Sequence, residues 1–432
     1  MAPARHQPGS SRAAPRAGAG SGSSARAGVA PRAGPRVLVM MPTWLGDTVM
    51  ATPALRLLGE TVPGAEVHAL ATAGLDEVLR GSPVVTELHV ARSSRFHDRA
   101  TACLALRRYR FEAALVLPNS FSSALAMRLS GIPIRLGYAR DGRGFLLTHH
   151  LEPGRRVAPH KGWALVSAVN YYFEAARALA GVLGTMTAVQ PGPLELGVTA
   201  EQKRRADEAL RRAGVGPREA SGGGRGEGGG FAVLNPGANN PAKRWPAERF
   251  AELAANLTRN FGLSVLLSGA PGEARLVAEV AGRARGMLKG AAGARGADSP
   301  RLVELPGMGL GLGVLKAVIA RAALLVTNDT GPRHLAAGFG VPRVVLFGPT
   351  DPRWTTLPGD PDGMEREAAL LAEPELPETE VADDHPDRCR IERIESRRVL
   401  EACERMLRVG PAEGERGGSE RGARPAAPRR PT

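Results

Sequence analysis

The sequence predicts an α/β protein made of two doubly wound parallel sheets that face a cleft. Apolar runs of strand length alternate with stretches of helical spacing, the pattern of parallel sheets with crossover helices. The alternation runs twice, with a break near residues 181–198. In both passes the apolar runs end on turns of small and polar residues, and sheets of this kind bind ligands at the carboxyl ends of their strands.

The first pass opens at Arg36-Val37-Leu38-Val39-Met40-Met41, a continuous apolar strand. The turn Pro42 to Asp47 and a helix from Thr48 to Gly59 follow it. Further strands are expected over 65–70, 85–90, 113–117 and 134–138, with helices over 75–79, 99–109 and 122–130 between them. A long helix, Gly162 to Ala180, closes this half. The chain restarts at Leu194-Glu195-Leu196, and a helix over 199–213 leads into the second pass. There strands over 231–235, 264–268, 302–305, 322–326 and 343–348 alternate with helices over 246–261, 273–285, 311–321 and 332–340. A final helix, Ser396 to Leu407, is expected to pack back on the first half. The predicted domains are residues 36–185 and 186–408, each Rossmann-like. Residues 1–35 and 409–432 are rich in Ala, Pro, Arg and Gly and lack apolar periodicity. They bury too little to offset the entropy of ordering and are expected to be disordered tails. Residues 221–230 read as a flexible Gly-rich insertion.

The chain has 432 residues, enough for two sizeable cores, and a hydrophobic content of 43% that suits a soluble protein. No apolar run reaches the ~20 residues of a membrane span, and no secretory signal is recognised at the amino end. The three cysteines, Cys103, Cys389 and Cys403, are scattered, which argues against a disulfide framework or Cys-rich zinc site and fits a reducing cytoplasm. The formal net charge of +14 lies partly at the amino end, where residues 1–36 have six arginines from Arg5 to Arg36 and no acid. That charge is compatible with an anionic membrane surface, an anionic substrate or nucleic acid. With aromatics at 4% and no binding module in view, a nucleic-acid-binding protein is the disfavoured alternative, and no nucleic-acid partner is expected.

Three turns carry candidate chemistry. Pro42-Thr43-Trp44-Leu45-Gly46-Asp47 has no GxGxxG, which lowers a dinucleotide reading. Asp47 stands just before a helix, where it can serve as an N-cap, as a general base facing the cleft, or both. Asn235-Pro236-Gly237-Ala238-Asn239-Asn240-Pro241-Ala242-Lys243-Arg244-Trp245-Pro246 ends a strand in small residues and then offers cations. Gly237 lets backbone approach a ligand, and Lys243 can meet a diphosphate as a point charge. At Asn328-Asp329-Thr330-Gly331-Pro332-Arg333-His334, Asp329 can cap the next helix. Thr330, Gly331 and His334 can offer donors to phosphate at its amino end. No metal site is expected: Asp383, Asp384 and His385 lie in an acid-rich loop, and His149-His150 lacks the spacing of a helical ligand pair.

Taken in order, these motifs resemble the ADP-heptose:lipopolysaccharide heptosyltransferases (glycosyltransferase family 9), a bacterial family of GT-B glycosyltransferases. The matching stretches are Val37 to Thr52, Leu117 to Phe121, Gly131-Ile132-Pro133, Asn235 to Pro246, Thr327 to His334 and Leu346 to Pro352, within about residues 36–407. The L-P-N-S-F and P-A-K-R-W-P forms are similar to the branch that adds the second heptose. The resemblance implies a GT-B fold, residues 36–185 as acceptor domain and 186–408 as ADP-sugar donor domain. It implies inverting, metal-independent transfer of a heptose from ADP-L-glycero-D-manno-heptose to a lipid-linked inner-core acceptor. The enzyme would be cytoplasmic, in peripheral contact with the cytoplasmic face of the inner membrane. Asp47 matches the family's catalytic acid and would be the base. Lys243 and the Thr330 and Gly331 amides would meet the diphosphate, Asp329 the sugar and Met308 the adenine, with Glu273 near the ribose. Asn119, Lys161 and Arg135, with Arg92, Arg95 and Arg99, are candidates for an anionic acceptor. The family often has an apolar or small residue where Pro332-Arg333 stand, so Arg333 is a candidate to alter donor contacts. A relative with another sugar nucleotide or acceptor, or a binding protein without catalysis, are the alternatives.

Overall fold

The first apolar run becomes β1 (Arg36–Met40), in which Val37, Leu38 and Val39 are fully buried. A strand buried on both faces belongs in the middle of a parallel sheet. The computed structural model describes residues 34–155, 163–215, 230–289, 300–360 and 362–410. The tails over 1–33 and 411–432 and most of the Gly-rich insertion lie outside them.

Around β1 run β2 (Glu66–Thr72), β3 (Glu87–Ala91), β4 (Ala113–Val116), β5 (Ile134–Tyr138) and β6 (His149–Leu151). Their order is β3-β2-β1-β4-β5-β6, all parallel. The helices are α1 (Leu45–Met50), α2 (Thr52–Thr61), α3 (Asp76–Leu79), α4 (Phe96–Ala105), α5 (Phe121–Leu129) and α6 (Ala168–Val182). The second lobe begins with α7 (Ala200–Arg212), which Thr199 and Gln202 close with a reciprocal capping box. Then come β7 (Phe231–Asn235), α8 (Ala247–Phe261), β8 (Ser264–Leu267), α9 (Ala274–Leu288), β9 (Leu302–Glu304), α10 (Leu312–Ile319), β10 (Leu324–Asn328), α11 (Gly331–Gly338), β11 (Arg343–Phe347), β12 (Glu367–Leu371) and α12 (Ser396–Val409). The second sheet is ordered β12-β11-β10-β7-β8-β9, again parallel.

Both sheets therefore reverse direction once, between β1 and β4 and between β7 and β10. These reversals open the crevices in which doubly wound sheets hold ligands. They place the Pro42–Asp47, Pro118–Ser120, Asn235–Gly237 and Asn328–Thr330 turns at the ligand-binding ends. One apolar cluster joins the lobes, from Val37, Val49 and Leu55 of the first to Val318, Leu335 and Ala336 of the second.

Four expectations are corrected. β6 and β12 were not foreseen. His149-His150-Leu151 is a short polar edge, and the Glu, Ala and Leu of Glu367-Ala-Ala-Leu-Leu371 favour helix over strand. Pairing with β11 and the contact of Glu367 with Arg343 override that propensity. Second, α6 starts at Ala168, capped by Ser167, because Trp163 is instead bridged to Arg155. Third, Leu194-Glu195-Leu196 is no strand. It lies along α2, where Arg56 pairs with Glu195 at 3.1 Å and with the Pro193 carbonyl at 2.8 Å. Fourth, α12 packs on the second sheet, not the first lobe: Val399, Ala402, Cys403 and Met406 share a core with Trp245, Phe250 and Val344.

Candidate active site

The second-lobe half is built on buried amides. Asn328, fully buried, donates to the carbonyls of Pro236 (2.9 Å) and Gly237 (3.2 Å) and accepts from the Trp245 amide (3.2 Å). Asn235 donates to Thr330 Oγ1 (3.2 Å) and accepts from Ser268 Oγ (3.0 Å). The two strand ends thus fix the turn that carries Lys243 against the turn that carries Thr330. Buried amides with all their partners define one geometry, since an unpaired one costs about 1–3 kcal/mol.

Lys243 Nζ lies 3.1 Å from Asp329 Oδ2. One of the three ammonium donors is used there, which leaves two for an oxygen ligand. Asp329 does not cap α11. Thr330 takes that position and no side chain caps the helix, so its positive end is open to an anion. Arg333 is buried. It grips Glu367 by two bonds (2.6 and 3.1 Å), donates to Thr355 Oγ1 at 2.7 Å and stands 3.5 Å from Asp329. Arg333 thus has no free face for donor contacts; it braces Asp329. Paired cations hold the buried Glu367 carboxylate at about 2 against the push of desolvation.

The first-lobe half centres on Asp47. It is not the cap of α1: Trp44 holds that position, and Asp47 lies in the first turn. Tyr172 Oη donates to Asp47 Oδ1 at 3.1 Å. Burial raises the Asp47 pKa and the Tyr172 hydrogen bond lowers it, with burial the larger effect. A carboxylate with a raised pKa and a single oriented donor suits a general base. Next to it Tyr171 Oη donates to Asn119 Oδ1 (2.9 Å), and Tyr138 stacks on Tyr171 with ring centroids 3.8 Å apart. Three of the chain's four tyrosines thus gather beside Asp47.

The two halves touch through glycines. A Cβ on Gly46 would stand 2.6 Å from the His334 ring, and one on Gly331 2.4 Å from the Leu45 side chain. His334 is only 3% exposed, its Nδ1 has no partner, and burial first, then Arg333, pushes its pKa down to about 3. The structure thus makes His334 a neutral packing residue of the lobe contact, shielded from the cleft, where the sequence suggested a phosphate donor. Gly237 is likewise held to glycine by a neighbour, because a Cβ there would stand 2.1 Å from the Glu273 carboxylate.

Other expected residues fall differently. Met308 sits in a turn after β9, partly buried against the shared core. Arg135 stands near the amino end of β5, opposite the cleft, and its guanidinium donates to the Ile132 and Leu146 carbonyls. That placement removes it from the acceptor set. Lys161 lies outside the described residues. Sequence reasoning missed Asn235, Asn328, Tyr171 and Tyr172. A polar residue ending an apolar strand was the available signal for the amides; Tyr172 fell among the apolar positions of a helix, and nothing local marked Tyr171. Among the described residues one His/Glu group of metal-binding type gathers, His68, Glu87 and His89. His68 Nδ1 and His89 Nε2 are hydrogen-bonded to each other at 3.0 Å, while the buried His68 Nε2 has no hydrogen-bond partner among the described residues.

The family model described as glycosyltransferase family 9 (heptosyltransferase) matches residues 100–384. The chain belongs to glycosyltransferase family 9. Lipopolysaccharide heptosyltransferase 2 of Escherichia coli K12 is 30% identical over 336 residues, 74% of this chain and 84% of that one. The solved structure of the E. coli ADP-heptose lps heptosyltransferase II superposes with TM-score 0.62 at 26% identity, covering 87% of this chain and 99% of that one. A family 9 structure from Veillonella parvula gives TM-score 0.68 at 21% identity, covering 87% and 98%. The two six-stranded lobes are the GT-B fold of this glycosyltransferase family, as the sequence implied. Among the described residues of this family 9 member no helix is long and apolar enough to cross a membrane.

Proposed function

We propose that this family 9 glycosyltransferase is an inverting heptosyltransferase of the second-heptose type, acting in lipopolysaccharide biosynthesis. It moves a heptose from ADP-L-glycero-D-manno-heptose to the lipid-linked inner core. The observation that carries the reading is Asp47, a partly buried carboxylate with a raised pKa, on the lobe facing the uncapped amino end of α11. An acceptor hydroxyl at the first lobe loses its proton to Asp47 as its oxygen attacks the anomeric carbon from the face opposite the departing ADP. The C–O bond to the diphosphate breaks as the new one forms. Charge growing on the leaving oxygen is met by Lys243, by the Thr330 hydroxyl and by the amino end of α11, which are already oriented before reaction. Asp329, fixed between Lys243 and Arg333, is placed to receive sugar hydroxyls. Met308 lines the adenine side, and Asn119 the acceptor side. No metal is required by this scheme. The enzyme works in the cytoplasm, in contact with the inner membrane through its lipid acceptor.

The test is a transfer assay with ADP-heptose, ADP-glucose and UDP-glucose on a core acceptor truncated after the first heptose. Product formed from ADP-heptose alone is expected; preference for another sugar nucleotide would move the chain to a different donor specificity.

A further inference from the structure

His68 and His89 meet on one face of the β2–β3 pair. β3 is the edge of its sheet, two strands out from β1 and away from the β1–β4 crevice. Glu87 and His89 are two apart on β3 and share a face, and parallel pairing brings His68 level with Glu87. Local spacing hides the group, because strand pairing assembles it. His68 Nδ1 lies 3.0 Å from His89 Nε2 and 3.7 Å from Glu87 Oε2. The other nitrogen of each ring also faces a carboxylate. His68 Nε2 is 3.8 Å from Glu66 Oε2, and His89 Nδ1 is 3.7 Å from Glu87 Oε1. Phe111 and Tyr109 wall the pair edge-on, with ring centroids 4.9 Å from His68 and 4.8 Å from His89 respectively.

Two neutral imidazoles cannot satisfy this arrangement. One proton lies between the two facing nitrogens, and each neutral ring carries a single N–H. If His68 supplies that proton, its bare Nε2 faces the Glu66 carboxylate, acceptor against acceptor. If His89 supplies it, the bare Nδ1 of His89 faces Glu87 in the same way. His68 is 3% exposed, and its Nε2 has no hydrogen-bond partner among the described residues. A cation between the facing nitrogens removes the conflict. It takes both lone pairs, and each ring then turns its remaining N–H toward a carboxylate, the arrangement that metal-ligating histidines favour. A proton would do the same, but burial pushes both histidines below their usual pKa, so it does not hold the place at neutral pH. The neighbouring cations are engaged elsewhere: Arg36 is bonded to Glu66 at 2.7 Å, and Arg108 lies over the Tyr109 ring. One ligand atom from each of His68, Glu87 and His89 lies within 4.8 Å of the others. Glu87 is exposed, so its side chain can close on an ion at about 2.0–2.2 Å and leave a position for water. We propose that His68, His89 and Glu87 bind one divalent transition ion, Zn²⁺ by their two-imidazole, one-carboxylate chemistry, which pins the edge strand β3 to β2 and takes no part in transfer. The site is independent of the heptosyltransferase reading.

The experiment uses the untagged full chain, stripped of metal with EDTA and dialysed. Calorimetric titration with Zn²⁺ is expected to show one tight site, and Co²⁺ in its place a visible spectrum of the four-coordinate type. His89→Gln should abolish both signals. The double variant His149→Gln/His150→Gln, which removes the exposed pair on β6, should keep both. Glu66→Gln, outside the ligand set, should weaken Zn²⁺ binding by roughly ten- to a hundredfold. Zn²⁺ should raise the midpoint of thermal unfolding in the wild type and not in His89→Gln. Equal Zn²⁺ affinity in wild type and His89→Gln, or no Zn²⁺ uptake by the folded wild type, would overturn the site. Full affinity in Glu66→Gln would overturn the orienting role of that carboxylate. If His89→Gln does not fold, Glu87→Gln on the exposed edge carries the comparison, and undiminished Zn²⁺ binding there would overturn the site as well. Turnover that falls when the metal is removed from folded enzyme would overturn its separation from transfer.

Discussion

Replacing Asp47 by asparagine isolates the proton-transfer role from every other role of the side chain. The amide has the carboxylate's shape, and its oxygen can still accept from Tyr172 Oη, now 3.1 Å from Asp47 Oδ1. The substitution also removes a carboxylate that burial disfavours, so the variant is expected to be no less stable than the wild type. What it cannot do is take a proton. Positioned general bases contribute about 10²–10⁴-fold, so kcat should fall by that factor, roughly 3–5 kcal/mol of barrier. Donor groups lie on the other lobe, with Lys243 on Asp329 and Thr330 on Asn235, so ADP affinity should be unchanged. The assay is ADP release with ADP-heptose and a saturating core acceptor, alongside calorimetric titration of ADP. A kcat within about threefold of the wild type, with normal ADP binding, would refute Asp47 as the base. A parallel loss of ADP binding would show that the side chain holds the lobes rather than the proton.

Tyr172→Phe removes the one hydrogen bond that favours ionised Asp47, so the acidic limb of the kcat profile should move to higher pH; an unmoved limb would detach Tyr172 from the base. Lys243→Ala should weaken ADP-heptose binding, by roughly tenfold or more for a charged hydrogen bond, and unaltered donor affinity would remove Lys243 from the diphosphate. His334 has a native pKa of about 3 against 6.5 unfolded, so the unfolded chain takes up its proton first. Its contribution is complete above about pH 6.5 and declines as pH falls toward 3, by roughly 2 kcal/mol at pH 5. Chemical denaturation at pH 7 and pH 5 should show this loss in the wild type and not in His334→Gln; equal losses would refute it. Turnover should survive EDTA, and loss that added divalent metal restores would reopen the metal question.

The doubly wound fold was legible because β1, β4, β7, β10 and β11 are buried on both faces and so read as unbroken apolar runs. Of the four edges, β3 and β9 were legible and β6 and β12 were not, since an edge strand such as β12 owes its state to one neighbour and to Arg343 on Glu367, which no local pattern encodes. The same division holds in the site. Asp47, Lys243 and Thr330 could be proposed from sequence because polar residues at strand ends are conspicuous. Their supports were hidden because contacts over long sequence separations make them: Asn328 with Pro236, Tyr172 with Asp47, Arg333 with Glu367. Arg135 misled for the opposite reason: a cation in sequence carries no sign of which end of its strand it occupies.

The glycines carry the last inference about how the two halves act together. In sequence, Gly331 offers an amide to phosphate and Gly46 is simply part of a turn. In the structure each is room for the other lobe, Gly46 for His334 and Gly331 for Leu45. The first turn of α1, which carries Asp47, is thereby set against the first turn of α11, so the distance between the proposed base and the proposed diphosphate site follows from packing. A second tie joins the lobes through α3. Lys316 of α10, fully buried, donates to the carbonyls of Val78 (3.1 Å) and Arg80 (2.8 Å) at the end of α3, and Gln202 of α7 reaches Glu77 at 2.9 Å. Burial lowers the Lys316 pKa to about 8, so its charge is held there at a cost that the two carbonyls offset. Catalysis by a base on one lobe and a leaving-group site on the other needs a fixed separation more than it needs any single contact. The two small residues and the buried lysine tie the lobes at two separate contacts and so set that separation.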